Sequence, residues 1–204
     1  TGVSLNYQNT FARVLRFNAG VSLNLGGMNS EDDPDADMGQ WEKVRDNAVR
    51  ANTSVKWLLD RSWITSLDFT ASVNYSDNFE RKHTYNSSAT TSPAVHVTEE
   101  GYFIADMLPA TYFTTRCIDS RELDYAANLK ATWNRSWGDV RSNAKLGVSW
   151  RADGNVGAGT YYENPALAPH QYRPRPYTDI PYMHNLAAYV EESLTVPLGG
   201  TSLQ

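Results

Sequence analysis

From Leu123 to Trp133 every second residue is apolar or small: Leu123, Tyr125, Ala127, Leu129, Ala131, Trp133. Between them lie Asp124, Ala126, Asn128, Lys130 and Thr132. A turn at Asn134-Arg135-Ser136-Trp137-Gly138 follows, and the alternation resumes at Val140, Ala144, Leu146, Val148 and Trp150. Side chains on a strand point to alternate faces, so this pattern predicts a two-stranded antiparallel hairpin, apolar on one side and polar on the other. The strands run to about 11 residues, twice the length common in soluble sheets. That excess favours an apolar face turned to lipid.

The same alternation recurs along the chain. Val3, Leu5, Tyr7 and Phe11 form a first strand; Leu15, Phe17, Ala19, Val21, Leu23 and Leu25 form a second. Val49, Ala51, Thr53, Val55, Trp57 and Leu59 predict a third, and Trp63, Leu67, Phe69, Ala71, Val73 and Tyr75 a fourth. After the hairpin, Leu186, Ala188, Val190, Leu194 and Val196 predict a seventh, with Glu192 interrupting its apolar face. Thr201 to Gln204 begin an eighth. Short turns are expected near 11–14, 60–62, 134–138 and 197–200, and long excursions at 26–46, 77–119 and 151–181. Short and long connections alternate strictly. The expected fold is therefore all-β: residues 1–204 as an antiparallel up-and-down meander forming part of a large transmembrane β-barrel. Its short turns gather at one end and its long loops at the other, as in outer-membrane barrels, where the long loops are extracellular.

Aromatic placement points the same way. Trp57, Trp63 and Trp133 flank the short turns, while Tyr75, Tyr125 and Trp150 lie at the other end of the apolar stripe. Amphipathic rings suit the two membrane interfaces. A twelve-residue strand spans about 40 Å and, tilted by roughly 40°, covers about 30 Å, against an apolar band of about 25 Å in such barrels. On this reading Leu67, Phe69, Val73, Leu129, Leu146 and Val148 face lipid. The opposite face, with Arg16, Arg50, Lys56, Asp68, Asp124, Lys130, Arg141 and Lys145, faces inward, where neighbouring charges can pair across strands.

Composition narrows the classes further. The formal net charge is -5 with mixed signs, which gives no footprint for a nucleic-acid partner. No apolar run approaches the 18 or so residues of a membrane helix, which leaves a barrel open. Cys117 is the single cysteine, so neither an intrachain disulfide nor a cysteine-based metal site can form. Thr1-Gly2 runs straight into a strand and Gln204 falls just after a turn, so the chain is expected to be a mature fragment of a longer protein.

Two runs resemble barrel strands of TonB-dependent outer-membrane transporters, in particular the Bacteroidetes-type, SusC-like ones. They are Glu122-Leu-Asp-Tyr-Ala-Ala-Asn-Leu-Lys-Ala-Thr-Trp133 and Tyr182-Met-His-Asn-Leu-Ala-Ala-Tyr-Val-Glu-Glu-Ser-Leu-Thr-Val196. The resemblance covers nearly the whole chain in strand style, without a diagnostic motif; the family's plug, TonB box and terminal aromatic residue are not visible. It implies a 22-stranded barrel around a plug, of which this chain supplies roughly a third of the wall. The implied function is TonB-powered import of a glycan, an iron chelate or cobalamin across a Gram-negative outer membrane. The implied partners are the rest of the barrel and the plug, TonB through an N-terminal part outside this chain, a surface lipoprotein and the lipid bilayer. Two alternatives stand beside it: a soluble β-sandwich that binds carbohydrate, and a smaller passive barrel or adhesin of about eight strands.

Residue types that carry chemistry are sparse. His83, His96, His170 and His184 lack metal-ligand spacing, and no serine or cysteine sits in a nucleophile motif, so no enzyme activity and no cofactor are expected. Asp33, Asp35 and Asp37 have the every-second spacing that opens a calcium loop, but Met38 and Val44 stand where an EF-hand requires Gly and Glu. A solvated acidic loop accounts for them as well. The third excursion is rich in tyrosine and stiffened by proline. Its candidate ligand contacts are Tyr161, Tyr162, His170, Tyr172, Arg173, Arg175 and Tyr177. The competing reading has this loop packing on itself. The apolar Tyr102-Phe103-Ile104 and Met107-Leu108-Pro109 are expected to pack against neighbouring loops or a partner.

Overall fold

A computed structural model describes residues 1–30, 35–61, 63–87, 93–107, 110–168, 172–198 and 201–203. For 93–97, 103–107, 197–198 and 201–203 the description is of the backbone alone. The strands are β1 (Gly2–Phe11), β2 (Leu15–Ser30), β3 (Trp41–Arg61), β4 (Ile64–Ser87), β5 (Pro93–Val97), β6 (Phe103–Met107), β7 (Thr111–Trp137), β8 (Val140–Asn155), β9 (Gly159–Tyr162), β10 (Met183–Leu198) and β11 (Thr201–Leu203). One antiparallel sheet runs in the order β1-β2-β3-β4-β7-β8-β10-β11, with β9 on β7, and β5 and β6 form a separate hairpin. The meander expected from the alternation is present. The sheet is open: β1 pairs β2 and β11 pairs β10, and the two edges do not meet.

Register places the expected apolar residues side by side. One row across the sheet reads Phe17, Val55, Phe69, Leu129, Val148, Ala188. The next but one reads Val21, Ala51, Val73, Tyr125, Ala152. Partners directly opposite share a face, so a one-residue slip would turn every such residue over. Glu192 sits opposite Ala144 on this face and accepts a hydrogen bond from the Ser142 hydroxyl at 3.1 Å, so the seventh strand keeps its register through the interruption.

The strands outrun their apolar stretches. β4 and β7 stay paired from Ser66↔Thr132 to Ser87↔Thr111, so much of the expected excursion 77–119 is sheet. Likewise β2 and β3 pair as far as Ser30↔Glu42, which shortens the expected loop 26–46. Asp77, Glu80, Arg81 and Lys82 lie in this extension, where charged residues occupy both faces and the apolar alternation ends. Cross-strand ion pairs take its place: Arg45–Asp77 at 2.9 Å, Lys82–Glu42 at 3.0 Å and Arg116–Glu80 at 2.6 Å.

The turns are tighter than expected. Trp137 pairs Val140, leaving Gly138 (φ 58°) and Asp139 as the turn instead of 134–138. At the first turn the Val14 N–H donates to the Phe11 carbonyl at 3.1 Å, while Ala12 (φ 48°) and Arg13 (φ 60°) both lie in the left-handed region. That geometry suits Asn-Gly, and side chains bearing an ordinary Cβ are strained there by about 1–2 kcal/mol each. Replacing Ala12-Arg13 by Asn-Gly is therefore expected to stabilise the hairpin by about 1 kcal/mol or more, read as a higher urea midpoint; an unchanged or lower midpoint would contradict the turn assignment.

Candidate functional site

The sheet offers two surfaces with different chemistry and, at its loop end, a folded excursion. On the apolar surface the expected lipid-facing residues are uncovered: Phe69, Val73, Leu129, Leu146 and Val148 are each 39–48% exposed, and Leu186 and Val190 more than 70%. Leu67 is half-buried on the same face. Trp57, Trp63 and Trp150 are exposed and Trp133 half-buried, with Trp63 beside a short turn. Among the described residues no second sheet covers this face; the only other sheet is the β5–β6 hairpin. A soluble sandwich would bury such a face against a second layer. Exposed apolar patches of this breadth mark contact with lipid or a partner.

The band has an edge. Its last apolar row is Val49, Tyr75, Leu123, and the next on the same face is Asn47, Asp77, Arg121. Beyond it the third excursion has a built structure. β9 continues the line of β8 after a bulge at Val156-Gly157-Ala158, pairing Asp119↔Gly159 and Cys117↔Tyr161. Asp119 is buried and anchors the bulge. It accepts two hydrogen bonds from the Arg121 guanidinium, each 3.0 Å, and one from the Ala158 N–H at 3.2 Å. A Cβ on Gly157 would collide with the Asp119 carbonyl oxygen, so the bulge needs glycine there. The chain then folds back on β9. Arg175 bridges Thr160, and the Tyr177 N–H donates to the Gly157 carbonyl at 3.1 Å.

This structure divides the candidate ligand contacts. Tyr161, Tyr162 and Tyr172 are half-buried. Tyr162 and Tyr172 meet edge-on with ring centroids 5.0 Å apart, and the Tyr172 hydroxyl reaches the Thr160 carbonyl at 3.4 Å. Burial pushes the Tyr161 and Tyr172 phenols above their ordinary pKa. Arg173 and Arg175 are exposed, Tyr177 is half-buried, and His170 lies outside the described residues. The loop thus packs on itself through Tyr162 and Tyr172, lays Tyr161 over Cys117 of β7, and turns its arginines outward. Cys117, beneath Tyr161, is fully buried, and burial pushes its thiol pKa up despite a hydrogen bond with Tyr161 that acts the other way. The sequence placed Cys117 in a loop; it belongs to β7, inside the unrecognised extension.

A second cluster escaped the sequence reading. His83 stacks between Trp41 (centroids 5.3 Å, 10°) and Phe113 (4.9 Å, 5°), and its Nδ1 lies 2.8 Å from the Thr115 hydroxyl. The only signal for it was aromatic content at matching distances above the apolar band. Of the calcium candidates, Asp35 and Asp37 are exposed in a turn and Asp33 lies outside the described residues. Among the described residues no three His, Cys, Asp or Glu side chains gather as metal ligands. The side chains of Phe103, Ile104 and Met107, and Leu108-Pro109 entirely, lie outside the described residues, as do Gly199-Gly200 of the last expected turn. Against known protein families, curated proteins and solved structures, the chain finds no match.

Proposed function

We propose that this chain is part of the wall of an outer-membrane β-barrel, in a TonB-coupled importer of a nutrient. One observation carries the membrane reading: a continuous apolar face, uncovered across neighbouring strands, opposite a face of Asn, Ser, Thr and charged residues. In water such a face would be an aggregation surface; in a bilayer it is the ordinary outer wall. The open edges fit a wall segment that further strands complete. Import and TonB coupling rest on the resemblance of the strands at 122–133 and 182–196 to that transporter family. The long-loop end, with Arg173 and Arg175 at its surface, is where a ligand would first meet the protein.

The test uses the full-length protein in lipid vesicles. A spin label at Val73→Cys, Phe69→Cys or Leu146→Cys should be reached by a lipid-dissolved collision partner and shielded from a water-soluble one. The label at Ser72→Cys should show no such lipid contact. Failure of the lipid-borne reagent at all three apolar positions would reject the barrel. For the importer, the same protein should be retained by immobilised TonB periplasmic domain, and no retention would reject TonB coupling while leaving the barrel.

A further inference from the structure

One carboxylate stands among the apolar residues of the outer face. On β10 that face reads Leu186, Ala188, Val190, Glu192, Leu194, Val196, and Glu192 is exposed between an exposed Val190 and Leu194. Its row across the sheet is Trp133, Ala144, Glu192, and the next row towards the short turns is Arg135, Ser142, Leu194. The adjacent Glu191 lies on the polar face and pairs Lys145 at 2.8 Å. Glu192 has no ion pair with a described residue; it accepts one hydrogen bond, from the buried Ser142 hydroxyl at 3.1 Å. Arg135, the described cation on this part of the face, lies opposite Ser142, two strands from β10.

We infer that Glu192 binds the ammonium headgroup of a phospholipid; this rests on the barrel reading, in which its face meets lipid. A carboxylate turned towards lipid costs free energy unless a cation or hydrogen-bond donors meet it. Ser142 supplies one donor and leaves the charge uncancelled. Depth decides what supplies the cation. Glu192 is level with Trp133, one of the rings that flank the short turns, and such rings sit at headgroup level. There each lipid brings its own charged group to the wall. An anionic headgroup is repelled. A primary ammonium donates N–H groups to the carboxylate oxygens in a charge-assisted bond. The indole of Trp133 shares the row across the small Ala144, and its face attracts the same cation. The flanking residues fit the rest of the molecule. From Glu192 towards the middle of the band run Val190, Ala188 and Leu186, an apolar track along which an acyl chain lies once its headgroup is held. A free cation would gain nothing from that track.

The test uses the full-length protein in vesicles of equal phosphatidylethanolamine and phosphatidylglycerol, extracted in mild detergent for native mass spectrometry. The native protein should retain phosphatidylethanolamine in several-fold excess, and Glu192→Gln should bring the two lipids close to parity. Carbodiimide maps the contact, because it joins a carboxylate to a primary amine that touches it. The ethanolamine lipid should be found on Glu192 and not on Glu191. An unchanged lipid ratio in Glu192→Gln would overturn the proposal. So would a carbodiimide link from Glu192 to a lysine of this protein or of a second copy, which would assign the carboxylate to a protein contact. The lipid-contact measurement at Val73, made on the same samples, separates the two failures. Lipid contact with an unchanged ratio rejects the headgroup site alone, and loss of lipid contact in the native protein rejects the barrel with it.

Discussion

Ala71→Lys is expected to destabilise the protein folded in vesicles by about 2–4 kcal/mol, because Ala71 lies at the middle of the apolar band. The band on β4 runs from Leu67 to Tyr75, and Ala71 is its centre, flanked across the strands by Thr53 and Ala127. Alanine is small, so little packing is lost with it, and the cost is that of the ammonium in hydrocarbon. The same lysine at Val73 should cost less, being one row closer to the loop-side interface, and at Tyr75 less again. Ser72→Lys points to the opposite face, beside Asn52 and Ala126, and should cost under about 1 kcal/mol where the lumen leaves room. The measurement is the urea midpoint of each variant. Depth dependence is the decisive feature. A sheet whose apolar face met water would register under about 0.5 kcal/mol at all three positions, as exposed substitutions do. A buried soluble core would register large costs without a gradient from Ala71 to Tyr75. Equal midpoints for Ala71→Lys and Ser72→Lys would remove the physical basis of the membrane reading.

What the sequence made legible follows from where the two faces of the sheet differ in polarity. Leu67, Phe69 and Val73, or Leu129, Leu146 and Val148, alternate with polar residues because one face of the sheet is apolar and the other polar, and register follows from that alternation. Above the band both faces carry polar and charged residues. Residues 76–87 and 111–122 therefore lose the period-two signal while remaining strand, and the ladder with its ion pairs carries them instead. The fate of the tyrosines was hidden for another reason. Tyr161 covers Cys117, a partner 44 positions away, and no local pattern announces a contact at that separation. Composition left two readings of Tyr161, Tyr162 and Tyr172, ligand contact or packing of the loop, and could not name the packing partners; in the fold they hold the excursion against β7. Gly157 and Gly159 were the available clue, since paired glycines beside a strand end mark a bulge or a close backbone approach.

Gly157→Val is expected to undo that docking, and Cys117 reports it. In the native protein the thiol is fully buried and burial raises its pKa, so it should resist a water-soluble thiol reagent. A valine at 157 drives Cβ into the Asp119 carbonyl oxygen and towards the Arg121 amide, both backbone and unable to move aside without breaking the β7–β9 pairing. Strain of this kind costs about 1–3 kcal/mol locally, which raises the open fraction about 5–150-fold. The labelling rate of Cys117 should rise by that factor while lipid contact at Val73 stays unchanged, because the apolar band is anchored separately. Gly159→Ala should act similarly: φ is +74° and its Cβ would meet the Arg175 carbonyl oxygen. Gly101→Ala is the control, with φ +86° but no described residue within 4 Å of the added carbon, so it strains one turn and leaves Cys117 shielded. The pH dependence has a definite sign. Docking keeps the thiol neutral, so its contribution is fully present below the ordinary thiol pKa and is lost as pH rises through the raised value. Native labelling should therefore keep accelerating as pH rises past the ordinary thiol pKa towards the raised value. Equal labelling of the native protein and Gly157→Val at neutral pH would show that the excursion does not cover Cys117.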